Sequence, residues 1–278
     1  KGLSIGPVVP LVMRGKAQVL SWIPKIYNLP LHASTVSRLM DLYAQTDPAL
    51  AKSLAAGMEI HRVAEAGGGL ANSTSVAAKP APDVTMQMAG GGTMTMPQQP
   101  AQPNAALFRE FTEAAAAAAK FLSAADGPRI GALSYNGWDT HANEGVIQGQ
   151  LGNRLAGLDA AIKALADGLG DAWKDTIVMI VTEFGRTARV NGTSGTDHGM
   201  ATCAVLVGGA VKGGRMIADW PGLADASLYE NRDLKPTRDL RTVFKGVLRD
   251  HLGIPEGALS SAIFPDSGSA KPLADLVI

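Results

Sequence analysis

Three polar stretches, each at or near the end of a segment that reads as a buried strand, constrain this chain more than any other feature. They are Gly137-Trp138-Asp139-Thr140-His141, Val181-Thr182-Glu183-Phe184-Gly185-Arg186-Thr187 and Gly195-Thr196-Asp197-His198-Gly199. Side chains that converge from several strand ends are how an open α/β sheet builds a ligand crevice. Asp139, His141, Glu183, Asp197 and His198 together form a mixed oxygen and nitrogen ligand set. Such a set suits zinc, manganese or iron, and suits calcium or magnesium less, because those ions rarely take imidazole.

The 278 residues are enough for one large α/β domain or two small ones. Lysine and arginine number 25, as do aspartate and glutamate. A neutral chain without a basic cluster carries no electrostatic footprint for nucleic acid or an anionic membrane surface. The single cysteine, Cys203, has no partner for an internal disulfide and leaves the compartment open. It lies in the apolar run 200–207, where a small buried hydrophobe is the expectation. No apolar stretch has the length of a membrane span, and Pro7 and Pro10 interrupt even residues 3–13. The chain opens on Lys1 without a signal-peptide pattern, so either the natural start has been removed or upstream sequence is missing.

The first thirty residues read as short extended segments. From Ser34 the pattern turns helical, and Asp47-Pro48 marks a second helix start, a capping acid before proline at the first helical position. That helix runs past Glu59, His61 and Arg62 to Gly67-Gly68-Gly69. Residues 71–103 alternate Thr and Met around a glycine triplet and end in a Pro-Gln tract, the pattern of a long mobile loop with room for a short hairpin, whose methionines cover the core or which serves as a lid. Asn104 caps an alanine-rich helix ending near Asp126-Gly127. Strand and helix then alternate: a strand over 129–135, a helix over 143–169, strands over 176–182 and 201–207, and a return strand from Gly213-Gly214. Thr237 caps a last helix through His251, ended by Gly253 and Pro255. Short apolar runs bounded by turn residues imply a parallel sheet with right-handed crossovers.

Each motif carries a plain reading beside the metal one. Asp139 and His141, two residues apart, point the same way if the backbone is extended; alternatively Asp139 caps the following helix and His141 bonds locally. Glu183 emerges past a buried strand, where a carboxylate is costly unless it is paired or bound to a cation. Arg186 offers that pairing, or it is a guanidinium that grips phosphate or sulfate. Gly195 and Gly199 allow close backbone approach or unusual dihedrals around Asp197-His198. Neither the 191–199 stretch nor the glycine pairs at 208 and 213 has phosphate-loop or dinucleotide spacing. His32 and His251 lack acidic company of this kind and read as structural, and His61, among its helical neighbours, reads as a structural or surface residue.

Gly-Trp-Asp-Thr-His at 137–141, Thr-Glu-Phe-Gly-Arg-Thr at 182–187 and Gly-Thr-Asp-His-Gly at 195–199 resemble the bacterial domain-of-unknown-function 1501 family. So do the glycine-rich stretch 208–214, Trp220-Pro221-Gly222, Thr237-Arg238-Asp239-Leu240-Arg241 and the opening residues 5–15. By fold analogy the resemblance implies an alkaline phosphatase-like and sulfatase-like α/β fold: a single domain over 1–278, a three-layer sandwich whose mostly parallel central sheet is flanked by helices. It implies a divalent ion, zinc or manganese, at the sheet's carboxyl edge, with Asp139, His141, Glu183 and His198 as ligands and Asp197 as a ligand or a carboxylate orienting an imidazole. Phe184 departs from the pattern, standing where a histidine partner is usual. Nothing near Lys1 matches the early aspartate and hydroxyl nucleophile of such enzymes, so the resemblance also implies a missing first strand and helix, and a metal site left incomplete by their loss. The activity implied is hydrolysis of a small anionic phosphate or sulfate ester in an exported, periplasmic protein, with Arg186 holding the anion. The competing expectation is a non-catalytic binding or structural protein that kept the fold.

Overall fold

The computed structural model describes residues 1–6, 9–23, 33–66, 85–87, 93–95, 104–145, 147 and 149–278. The chain is mixed α/β and divides into two compact units, residues 1–136 with 154–168, and residues 137–153 with 169–278.

The first unit contains β1 (Gly2–Ile5), β2 (Val19–Trp22), α1 (Ala33–Thr46), α2 (Pro48–Ala66), β3 (Thr85–Gln87), β4 (Thr93–Thr95), α3 (Asn104–Ser123), β5 (Ile130–Leu133) and most of α4 (Gln150–Leu169). Strands β2, β1 and β5 form a parallel sheet in that order, with Ser4 level with Ser21 and Ala132. All four residues of the central strand β1 are buried, as a strand covered on both faces requires. Helix α3 packs on β1 and β5 and buries Ala115, Ala118 and Ala119 completely. Those small side chains let α4 come close. A Cβ added at Gly168 would lie 2.6 Å from the Cβ of Ala119, and one at Gly157 would meet the rings of Phe108 and Tyr135.

Asp47 caps α2 as its position before Pro48 dictates: its Oδ1 accepts the N–H groups of Ala49 and Leu50 at 3.1 and 3.0 Å. Strands β3 and β4 pair antiparallel inside the expected 71–103 loop. The rest of that loop, His32 and the side chain of His61 lie outside the described residues.

The second unit contains β6 (Val178–Ile180), β7 (Gly185–Arg186), β8 (His198–Gly199), β9 (Val205–Val207) and α5 (Arg241–Leu252). Here the structure departs from the sequence expectation. Strands β6 and β9 pair antiparallel, Val178 opposite Val207, where a parallel sheet was expected. A parallel neighbour needs a crossover, usually a helix, and residues 181–204 hold the β7–β8 hairpin instead. The helix expected from residue 143 starts at Gln150, because Asn143 (φ 49°) and Gly145 (φ 67°) take left-handed conformations that no right-handed helix accepts.

No return strand begins at Gly213; only Val211 bridges to Val277. Helix α5 starts at Arg241 with Leu240 at the N-cap position; the Arg241 N–H goes to the Asp239 side chain at 2.9 Å, and Thr237 stands outside. Its end follows the sequence: Gly253 at φ 65° sends its N–H to Arg249, and Ile254 to Leu248. Cys203 is exposed rather than buried, since the strand begins two residues later at Val205. Among the described residues no helix is long and apolar enough to cross a membrane.

Candidate metal centre

The β7–β8 hairpin sets the site's register. Gly185 pairs with Gly199, and Arg186 with His198. The glycines are required by close approach rather than by dihedrals. A Cβ at Gly185 would lie 1.8 Å from the Ala201 carbonyl oxygen, and one at Gly199 would lie 2.7 Å from that of Arg186. Gly195 is equally confined, because a Cβ there would sit 2.3 Å from the carbonyl carbon of His141. The 139–144 segment is thereby laid along 193–196. Thr196 N–H donates to Thr140 O at 3.2 Å, Asn143 N–H to Thr193 O at 3.0 Å and Glu144 N–H to Ser194 O at 2.9 Å. Thr140 turns inward and is buried, while Asp139 and His141 on either side of it are half exposed, so the two side chains do share a face.

Three donor atoms converge as a result. His141 Nε2 lies 3.1 Å from Asp139 Oδ1 and 3.1 Å from His198 Nε2, and His198 Nε2 lies 2.9 Å from Asp139 Oδ1. Among the described residues these are the three whose ligand atoms meet as a metal ion would require. Atoms bound to one zinc ion at about 2.0–2.1 Å and at right-angled to tetrahedral geometry sit roughly 2.9–3.4 Å apart. Both the spacing and the donor chemistry, two imidazoles and a carboxylate, fit zinc, manganese or iron(II).

Asp197 does not join the triangle. Its Oδ1 lies 3.3 Å from His141 Nδ1, the ring nitrogen on the other side. Hydrogen bonds from Asn191 and then His141 hold the Asp197 carboxyl below the usual carboxylate range. An ionised carboxylate only accepts, so this contact is donated from His141 Nδ1, and it turns the Nε2 side of the ring toward the cluster. Partial desolvation is the largest influence on Asp139 and works to raise it. Hydrogen bonds from Arg186 and His198 and the charges of the two histidines outweigh it, leaving this carboxyl below the ordinary range.

Glu183 stands apart. It is exposed and contributes no donor atom to the cluster. The chain turns tightly after β6, with the Thr182 hydroxyl closing on Phe184 O at 2.9 Å, and the side chain brought to the site is that of Phe184. Its ring centroid lies 4.2 Å from that of the His198 imidazole, so Phe184 packs on a member of the cluster. Arg186 turns away from Glu183 as well. Its Nη1 donates to Asp139 Oδ1, its Nε to Thr196 Oγ1 at 2.9 Å and its Nη2 to the Thr196 carbonyl.

Sequence reasoning missed several supporting residues. Thr196 donates on to Glu144 Oε2 at 2.7 Å, completing a chain from Asp139 through Arg186. Buried Asp233 holds Arg232, with Nε 2.9 Å from Oδ1, and Arg232 Nη2 approaches the His198 carbonyl. Asn191 binds both flanks of the site. Only Asn191 left a trace in the sequence, as an Asn-Gly turn signal; Glu144 and Arg232 left none. A groove of about 480 Å³ is lined by Glu144, Val190, Ser194 and Thr196, with Asn143 and the two glycines 145 and 195.

These features define a mixed α/β protein with an exposed two-histidine, one-carboxylate cluster. The model of the family described as "Protein of unknown function (DUF1501)" matches residues 31–261, and the chain belongs to that family. No curated protein and no solved structure matches it.

Proposed function

We propose that the protein is a metal-dependent hydrolase of phosphate or sulfate esters, on an alkaline phosphatase-like three-layer sandwich in an exported protein. The observation that carries this reading is the Asp139–His141–His198 triangle, held at ligand spacing beside a guanidinium. Zinc or manganese is the ion the donor set favours. Such an ion supplies Lewis acidity, which polarises an ester oxygen and makes a hydroxyl nucleophile available near neutral pH. The chain's own residues do the rest. Asp197 accepts from His141 Nδ1 and so turns Nε2 toward the cluster, and Phe184 limits how the His198 ring turns. Arg186 neutralises Asp139 and brings positive charge to the place where an ester oxyanion would lie. The half-exposed donors leave an open side for substrate, as catalytic rather than structural metal sites do.

Elemental analysis of the purified protein tests the reading, together with turnover of nitrophenyl phosphate and nitrophenyl sulfate after loading with zinc or manganese. One ion per chain and turnover of either ester are expected, with His198→Ala losing both. A chain that takes up no ion, or a His198→Ala variant as active as its parent, overturns the proposal and leaves the binding-protein alternative.

A further inference from the structure

We propose that Asn191 is a positioning residue of this centre: its side-chain amide ties the carbonyl of His141 to the carboxylate of Asp197 and so fixes where the His141 ring stands in the cluster. The inference rests on the metal-site reading of Asp139, His141 and His198.

The orientation of the amide follows from its partners. Asn191 Oδ1 lies 3.0 Å from the backbone N–H groups of Thr193 and of Gly195, which can only donate. The oxygen therefore faces its own loop, and Nδ2 faces the site. There Nδ2 donates to His141 O at 2.9 Å and to Asp197 Oδ1 at 3.0 Å. The same carboxylate oxygen takes the proton of His141 Nδ1. One amide thus grips the ligand residue twice, by its backbone directly and by its ring through Asp197. The Thr193 hydroxyl adds a second hold on the His141 carbonyl at 2.7 Å.

The two halves of the side chain do different work. Its oxygen shapes the 191–195 turn, and its NH₂ group sets the ligand. Asn191→Asp separates them, because it keeps an oxygen for Thr193 and Gly195 but loses the donor and places a second carboxylate against Asp197. Asn191→Ala removes both halves.

The test uses cobalt(II) as the metal probe and long-range proton–nitrogen correlation of the imidazoles in the metal-free protein. The parent should show a His141 Nδ1 proton held in its hydrogen bond to Asp197, and both variants should lose that hydrogen bond. Cobalt affinity in both should fall about 10- to 100-fold, the usual cost of losing a partner that orients a ligand, with an altered visible spectrum. An Asn191→Asp variant with the parent's Nδ1 hydrogen bond, affinity and spectrum overturns the proposal, whatever Asn191→Ala does, because the residue then only shapes its turn. If the parent itself binds no cobalt the hydrolase reading fails, and the Nδ1 hydrogen bond of His141 alone decides the role of Asn191.

Discussion

In the first unit, order comes from apolar burial along one helix and one strand; in the second, around the donor cluster, it comes from hydrogen bonds between loops. Ala115, Ala118 and Ala119 of α3 and Leu3 of β1 are sealed from solvent. The cluster has little such cover. Asp139, His141, Asp197 and His198 are all about half exposed, on strands only two residues long or on no strand at all. What holds them is the net of Asn191, Thr193, Thr196, Glu144 and Arg186. Burial is strong but non-directional, whereas hydrogen bonds are weaker in net terms but set distances and angles. A site whose chemistry depends on three atoms about 3 Å apart is accordingly built by the directional force.

That division predicts separable defects. Leu3→Ala should have the largest effect on stability, a loss of roughly 2–5 kcal/mol for a fully buried leucine, measured by denaturant unfolding, with cobalt affinity of the folded protein unchanged. A parallel fall in affinity would break the comparison. Gly195→Ala should do the reverse. Its new Cβ would meet the backbone of His141 at 2.3–2.4 Å, so the 139–142 segment must move. A 10- to 100-fold loss of metal affinity is expected, as for other displaced ligand supports, with a smaller loss of stability than Leu3→Ala. A variant that binds as the parent does would show that the close approach is not what places His141.

The same contrast explains what the sequence disclosed. Elements set by local chemistry were legible. Asp47-Pro48 caps a helix, Gly253 ends one, and the alanine-rich stretch after Asn104 is helical, because each signal acts within a few residues of its cause. The convergence of Asp139, His141 and His198 was legible as well, since acid–histidine pairs flanked by glycine are unusual company. Pairing direction was not. Nothing local distinguishes β6–β9 as antiparallel; that follows from the hairpin closing between them. Glu183 and Phe184 show the finest limit, for adjacent side chains point different ways and a single turn decides which one meets His198. Support such as that of Glu144 on Thr196 spans 52 residues and leaves no local mark.

The smallest predicted effect asks whether polar contacts in the second unit stabilise it generally or mainly direct its loops. Asp275, near the chain's end, takes hydrogen bonds from Lys212 and from Arg215, the latter at 2.8 Å, where Lys212 N–H also bonds the Leu276 carbonyl. Lys212 first and Arg215 second hold its carboxyl below the usual carboxylate range. A carboxyl depressed on folding contributes stability that is fully present above its unfolded pKa, about 3.9, and is lost as pH falls through the folded value. Asp275→Asn should therefore melt slightly below its parent at neutral pH, with the gap closing as pH drops below the carboxylate range. The group is exposed, and ion pairs of this kind contribute little. A gap that is wide at neutral pH would mean that polar clasps carry the second unit's stability much as α3 carries the first's. A gap that persists unchanged in acid would assign the defect to something other than the charge.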